Sequence, residues 1–132
     1  MNPAEPIITG VSHQIGHYAD AIRVPAGYEQ IITSGTPGLT ADGELPDNIA
    51  DQARQAWQNI EGALAKAGAS IPDVVSIRQW LTDADGIKAY TLVRSEFVKH
   101  ECASMLAVIP ALVWPGIKVE IEVVAVRASP AS

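Results

Sequence analysis

The chain has 132 residues, of which 48% are hydrophobic and 18% charged, and nine Lys and Arg stand against fifteen Asp and Glu for a net charge of −6. This length fits one folded domain spanning residues 1–132, the composition excludes a disordered chain, and the acidic balance argues against nucleic acid as a partner. A lone cysteine, Cys102, offers no internal disulfide, and the chain lacks both a basic-then-apolar leader and a run of about 18 apolar residues, so a cytoplasmic protein with no membrane partner is expected.

The first 14 residues contain Pro3, Pro6 and Gly10, and the last five are ASPAS, so both ends are expected to fray. Residues 18–24 and 28–34 read as short strands, joined into a hairpin by Pro25-Ala26-Gly27. The glycines and Pro37 of residues 34–38 break regular structure, and Asp42-Gly43 adds a turn. The clearest helix spans residues 47–67, where Ile49, Ala53, Trp57, Ile60, Leu64 and Ala67 make one apolar stripe and Gly68 supplies a residue able to adopt positive φ. Residues 73–82 read as a covered central strand. A second helix over residues 85–99 carries Ile87, Tyr90, Val93 and Phe97 at helical spacing. Residues 103–109 form another strand. In residues 117–127 Ile117, Val119, Ile121 and Val123 alternate with Lys118, Glu120 and Glu122, which is a strand with one buried side. The order β-β-α-β-α-β-β predicts an α+β domain with one mixed sheet and both helices on one face. The other face needs cover, and a second copy of the chain is the simplest source, which predicts a closed homo-oligomer.

Several chemistries are poorly supported. His13, His17 and His100 lack metal-ligand spacing, so no metal is expected. Ser34-Gly35 lacks the nucleophile elbow, no dinucleotide or phosphate-loop glycine pattern occurs, and no cofactor is expected. Cys102 reads as a packing residue. Glu120 is the remaining candidate: on a strand whose alternate residues are buried, it is either a partly desolvated carboxylate able to move a proton near neutral pH or an exposed partner of Lys118.

Six motifs carry a resemblance. Ile15-Gly16-His17-Tyr18-Ala19-Asp20-Ala21-Ile22 resembles the opening strand motif IGPYSQAI of the YjgF/RidA (Rid) family, which includes 2-iminobutanoate/2-iminopropanoate deaminases. Further matches follow in family order: Ile32-Thr33-Ser34-Gly35-Thr36-Pro37, then residues 52–60 (QARQAWQNI), Ala67-Gly68-Ala69-Ser70, Asp73-Val74-Val75, and finally residues 119–125 (VEIEVVA). Together they cover roughly residues 15–127.

The resemblance implies a chorismate-mutase-like α+β subunit assembled as a homotrimer, with small-molecule clefts between neighbouring subunits. In the deaminating members an arginine in a Pro-Ala-Arg-Ser/Thr segment clamps the substrate carboxylate, and the glutamate of the Val-Glu-Ile-Glu strand positions a water that attacks the imine carbon. Carried over, the catalytic residue is Glu120, with Tyr18, Ser34 and Gly35 lining the cleft. The clamp segment reads Cys102-Ala103-Ser104-Met105, which puts Ser104 in place of the arginine. Replacing a charged two-pronged contact by one neutral donor costs about 2 to 5 kcal/mol, or about 30 to several thousand fold. Arg78 offers itself as a relocated anion binder or as a surface or interface salt bridge. Trp114 offers an indole against the substrate or an ordinary core or interface aromatic. The expected function is therefore hydrolysis of a small enamine, imine or related C–N compound other than a simple 2-imino acid. The alternative is a non-catalytic trimer that binds a metabolite or stabilises other proteins. The family's endoribonuclease label sits poorly with an acidic chain that has no basic stripe.

Overall fold

A computed structural model of the chain describes residues 3–129. Nine strands and helices follow in the order β1 (Glu5–Ile7), β2 (Ala21–Arg23), β3 (Tyr28–Ile32), β4 (Thr36–Pro37), α1 (Ile49–Lys66), β5 (Val74–Leu81), α2 (Ile87–Phe97), β6 (Ala103–Val108) and β7 (Val119–Ala128). The main sheet runs β3-β7-β5-β6, with β4 also pairing β7 beyond β3. Among the strands of the main sheet, β5 and β6 pair in parallel, and α2 makes the crossover that a parallel pair requires.

The apolar stripe of the first helix predicts its buried side. Ala53, Ala56, Trp57, Ile60 and Leu64 are all buried, and Trp57 stacks on Phe97 of α2 with ring centroids 6.1 Å apart. Asn48 caps the helix start by accepting the Asp51 N–H at 2.8 Å, while its own amide donates to the Asp51 carboxylate. At the other end Gly68 takes φ +79°, and Arg127 Nη1 donates to the Ala67 and Gly68 carbonyls at 3.2 and 2.7 Å. Both helices lie on one face of the sheet, over Val74, Ile77 and Leu81 of β5 and Val119, Ile121 and Val123 of β7. This is the α+β layering expected.

The other face has no covering layer among the described residues. It presents Arg78, Glu120, Glu122, half-buried Trp80 and Val124, and exposed Ile32 and Met105. Arg78 and Glu122 form a long ion pair there at 3.7 Å.

Three expectations need correction. Residues 18–34 make no hairpin: β2 pairs with β1 in a separate two-stranded sheet, while β3 pairs antiparallel with β7. The turn at residues 25–27 thus passes the chain between two sheets, because pairing with β7 brings Ile31 against the core. The described part of the N-terminal stretch is tied down rather than frayed, since β1 is paired and the Asp20 carboxylate accepts N–H groups of Thr9, Gly10 and Ser12 at 2.6, 3.2 and 2.8 Å. Residues 1–2 and 130–132, for which fraying was also expected, lie outside the described residues. Residues 36–37, read as irregular, form a short strand on β7.

Candidate functional site

Two groups of candidate residues emerge, each built by its own part of the sheet. The first surrounds Glu120 on the open face. β3 and β4 both pair with β7, and the residues between them arch over that strand. Thr33 holds the arch by exchanging bonds with Val123: its N–H donates to the Val123 carbonyl, and its hydroxyl accepts the Val123 N–H, each at 3.0 Å. Thr36 Oγ1 donates to the Ser34 carbonyl at 3.0 Å, which tightens the turn. Gly35 therefore lies against the Glu120 side chain. A β-carbon at Gly35 would stand 2.5 Å from Glu120 Oε2, so only glycine leaves the carboxylate where it is. Gly35, with Ser34 beside it in the turn, and Glu120 are thus neighbours. Glu120 is half-buried and faces Trp80 across β5.

The second group lines a cleft of about 600 Å³ beyond the edge strand β6, a volume suited to a small molecule. Its walls are the segment of Ile15 to Tyr18, one side of α2, and Ser104 and Leu106 of β6. The Tyr18 segment is docked by a bridge between Ala19 and Ala103 and by the Ala19 N–H on the Cys102 carbonyl at 2.9 Å. The three N–H bonds on Asp20, led by those of Thr9 and Ser12, also hold its carboxyl well below the usual carboxylate range, so it anchors this segment as an anion. Ser104 points to the helix side, where a buried relay fixes it. Tyr90 donates its hydroxyl to Gln79 Oε1 at 2.6 Å, and Gln79 Nε2 donates to Ser104 Oγ at 3.1 Å and to the Met105 carbonyl at 2.7 Å. Burial pushes the Tyr90 phenol far above its ordinary range, so it remains a donor.

Sequence reasoning missed Gln79 and the helix side of the cleft. Ile87, Thr91, Arg94, Ser95 and Val98 line it at intervals of three or four, one position round from the core stripe of Tyr90, Val93 and Phe97. A mixed-polarity stripe beside an apolar one is its only sequence signal. The available signal for Gln79 is an amide at a position that shares the core face with Ile77 and Leu81, which marks a buried group with partners to find.

The remaining candidates lie elsewhere. Arg78 is on the open face with Glu120, where it pairs with Glu122 at 3.7 Å. The core reading of Trp114 is overturned: its indole is 53% exposed on the β6–β7 connection and lines neither the cleft nor the core. His100 Nε2 donates to the Val74 carbonyl at 2.7 Å, and Glu101 pairs with His13; both line a smaller cavity of about 370 Å³ beside β2 rather than the cleft. Cys102 is buried, its thiol pushed up to about 12 by desolvation, which suits packing rather than nucleophilic chemistry. Among the described residues no group of three or more His, Cys, Asp or Glu could hold a metal, and no helix is long and apolar enough to cross a membrane.

Residues 11–127 match the family model described as Endoribonuclease L-PSP. The chain is 30% identical over 117 residues to the 2-iminobutanoate/2-iminopropanoate deaminase of Escherichia coli strain K12, covering 86% of this chain and 89% of that protein. Among solved structures it resembles RidA from an Antarctic Psychrobacter, with TM-score 0.69, 28% identity and coverage of 84% and 89%. It also shares the fold of the Rid-family protein YyfB from Yersinia pestis, with TM-score 0.80, 24% identity and coverage of 95% and 98%.

Proposed function

Because the chain belongs to the YjgF/RidA family, the family of the endoribonuclease L-PSP model, we propose that it is a hydrolytic deaminase of small imines or enamines whose site is shared between neighbouring copies of a homotrimer. The observation that carries this reading is the division of the site. Glu120 with Ser34 and Gly35 occupies an uncovered sheet face, and Tyr18 with Ser104 occupies a cleft beyond the edge strand, with β5 and β6 between them. Seating one protomer's open face against the next protomer's cleft joins the two groups and covers Ile32, Met105 and Trp80 in the same step.

In the joined site Glu120 acts as general base. It takes a proton from water as the oxygen attacks the C=N carbon, and a carbinolamine forms. The proton then passes to nitrogen, the C–N bond breaks, and ammonia leaves with a carbonyl product. Gly35 keeps the carboxylate free to reach this water, and Tyr18 with Ser104 supplies neutral hydroxyls that orient the substrate. With Ser104 in place of the family's arginine, simple 2-imino acids lose the clamp at that position and bind more weakly by about 30-fold or more.

The experiment measures ammonia release from a panel of enzymatically generated imines with wild type and Glu120→Ala. A fall of about 100-fold or more is expected for the variant. Equal rates would end the catalytic role, and ligand binding without turnover by wild type would favour the metabolite-binding trimer. Sedimentation that found only single protomers would remove the shared site.

A further inference from the structure

The smaller cavity beside β2, of about 370 Å³, has no part in the deaminase chemistry. It shares no lining residue with the cleft beyond β6, and none of the open-face residues around Glu120 lines it. The joining of protomers proposed above therefore supplies none of its wall. Along both segments that approach it, the bridge between Ala19 and Ala103 stands between cleft residues and cavity residues: Tyr18 and Ser104 lie on one side, Ile22 and Glu101 on the other.

Three consecutive residues, Lys99, His100 and Glu101, bring polar groups to this cavity. The Lys99 ammonium makes one hydrogen bond, to the Ser95 carbonyl at 2.7 Å, and keeps two N–H donors; Glu96 feels its charge but pairs with Arg54 instead. Glu101 accepts from His13 through Oε1, and its Oε2 has no partner among the described residues. His100 spends its Nε2–H on the Val74 carbonyl at 2.7 Å, which fixes the tautomer and leaves Nδ1 of the neutral ring as an acceptor. The cavity thus combines a cation with donors to spare, a carboxylate oxygen and a ring nitrogen able to accept.

A plain anion would meet Glu101 in this space, and a plain cation would meet Lys99. A molecule that carries both charges on neighbouring atoms satisfies the two together. Pro6, Ile22 and Val75 supply an apolar wall, and the volume is at the small end of ligand pockets, so the molecule is small and has a compact hydrocarbon part. We propose that this cavity is a second ligand site and that it takes an α-amino acid with a small apolar side chain, its carboxylate on Lys99 and its ammonium between Glu101 and His100. The site is independent of the deaminase chemistry, since it draws on neither Glu120 nor Tyr18.

The test titrates three probes into the full-length protein and reads affinities and shifted residues by amide NMR: L-valine, 3-methylbutanoate, which lacks the ammonium, and 2-methylpropylamine, which lacks the carboxylate. Wild type is expected to bind valine about tenfold or more tightly than either fragment, with shifts at Ile22, Val75 and residues 99–101. Lys99→Met should weaken valine by about tenfold and leave the amine unchanged. Glu101→Gln should weaken valine by a similar factor and bind 3-methylbutanoate no less tightly. Glu120→Gln and Tyr18→Phe, on the open face and in the cleft, should leave valine affinity unchanged. No shifts at the cavity, equal affinity for valine and either fragment, or a valine affinity indifferent to Lys99→Met would each overturn the site. Loss of valine binding with Glu120→Gln would also overturn it, by placing the amino acid in the cleft.

Discussion

The two faces of the main sheet use the same strands for different ends. On the helix side β5 and β7 contribute Ile77, Leu81, Val119, Ile121 and Val123, all nearly or wholly buried beneath Trp57 and Tyr90. On the open side the alternate residues of those strands are Arg78, Trp80, Glu120 and Glu122, none of them buried. Alternation along a strand lets one backbone carry a packed core and a chemically reactive surface whose side chains scarcely meet. Stability and activity should therefore separate by residue parity, and where they fail to separate an interface or a shared relay is at work.

The largest effect belongs to the covered face. Trp57→Ala removes a wholly buried ring stacked on Phe97 and should cost about 3 to 5 kcal/mol in denaturant unfolding at fixed protein concentration. Arg78→Ala on the open face should change the same measurement by about 0.5 kcal/mol or less, because its ion pair is long and exposed. A much larger loss for Arg78→Ala would mean that the open face is itself a stabilising contact. Gly35→Ala reverses the pattern. Its new methyl group displaces the flexible Glu120 carboxylate rather than backbone, so the melting temperature should hold while kcat falls about 100-fold, the scale expected when a catalytic group moves by about an ångström.

Tyr90→Phe probes the crossing between the two functions. It leaves Gln79 Oε1 without a donor in the core and should cost about 1 to 3 kcal/mol, and because Gln79 fixes Ser104 it should also raise KM. An unchanged KM would detach the relay from the cleft. The smallest signal is at Cys102. Its thiol is raised to about 12 in the folded protein, above the ordinary value near 8.5, so folding favours the protonated form. That contribution is complete below the ordinary thiol range and fades as pH rises from there toward 12. A thiol reagent at pH 8 should label the protein only as fast as it unfolds, and immediate labelling would show that the site opens locally.

The helices and the two long strands of the sheet were legible because their patterns are local. The stripe from Ile49 to Leu64 and the alternation of residues 117–123 depend on spacing within one element. Which strands pair was much less legible. Pro25-Ala26-Gly27 is compatible with a hairpin or with a passage between sheets, and the choice is made by β1 and β7, whose sequences lie elsewhere in the chain. The site divided in the same way. Ser34, Gly35 and Glu120 were carried over from separate motifs of the resemblance, whereas the relay from Tyr90 through Gln79 to Ser104 joins three elements and shows only in the fold.

The position of β7 has a consequence for how the molecule is made. This strand pairs with β3, β4 and β5, yet it lies C-terminal to all of them at Val119–Ala128. During synthesis β3, β4 and one side of β5 must wait with unsatisfied backbone edges until β7 has left the ribosome. Folding of the main sheet thus waits on β7, and chains stalled before residue 119 should be prominent clients of chaperones and proteases.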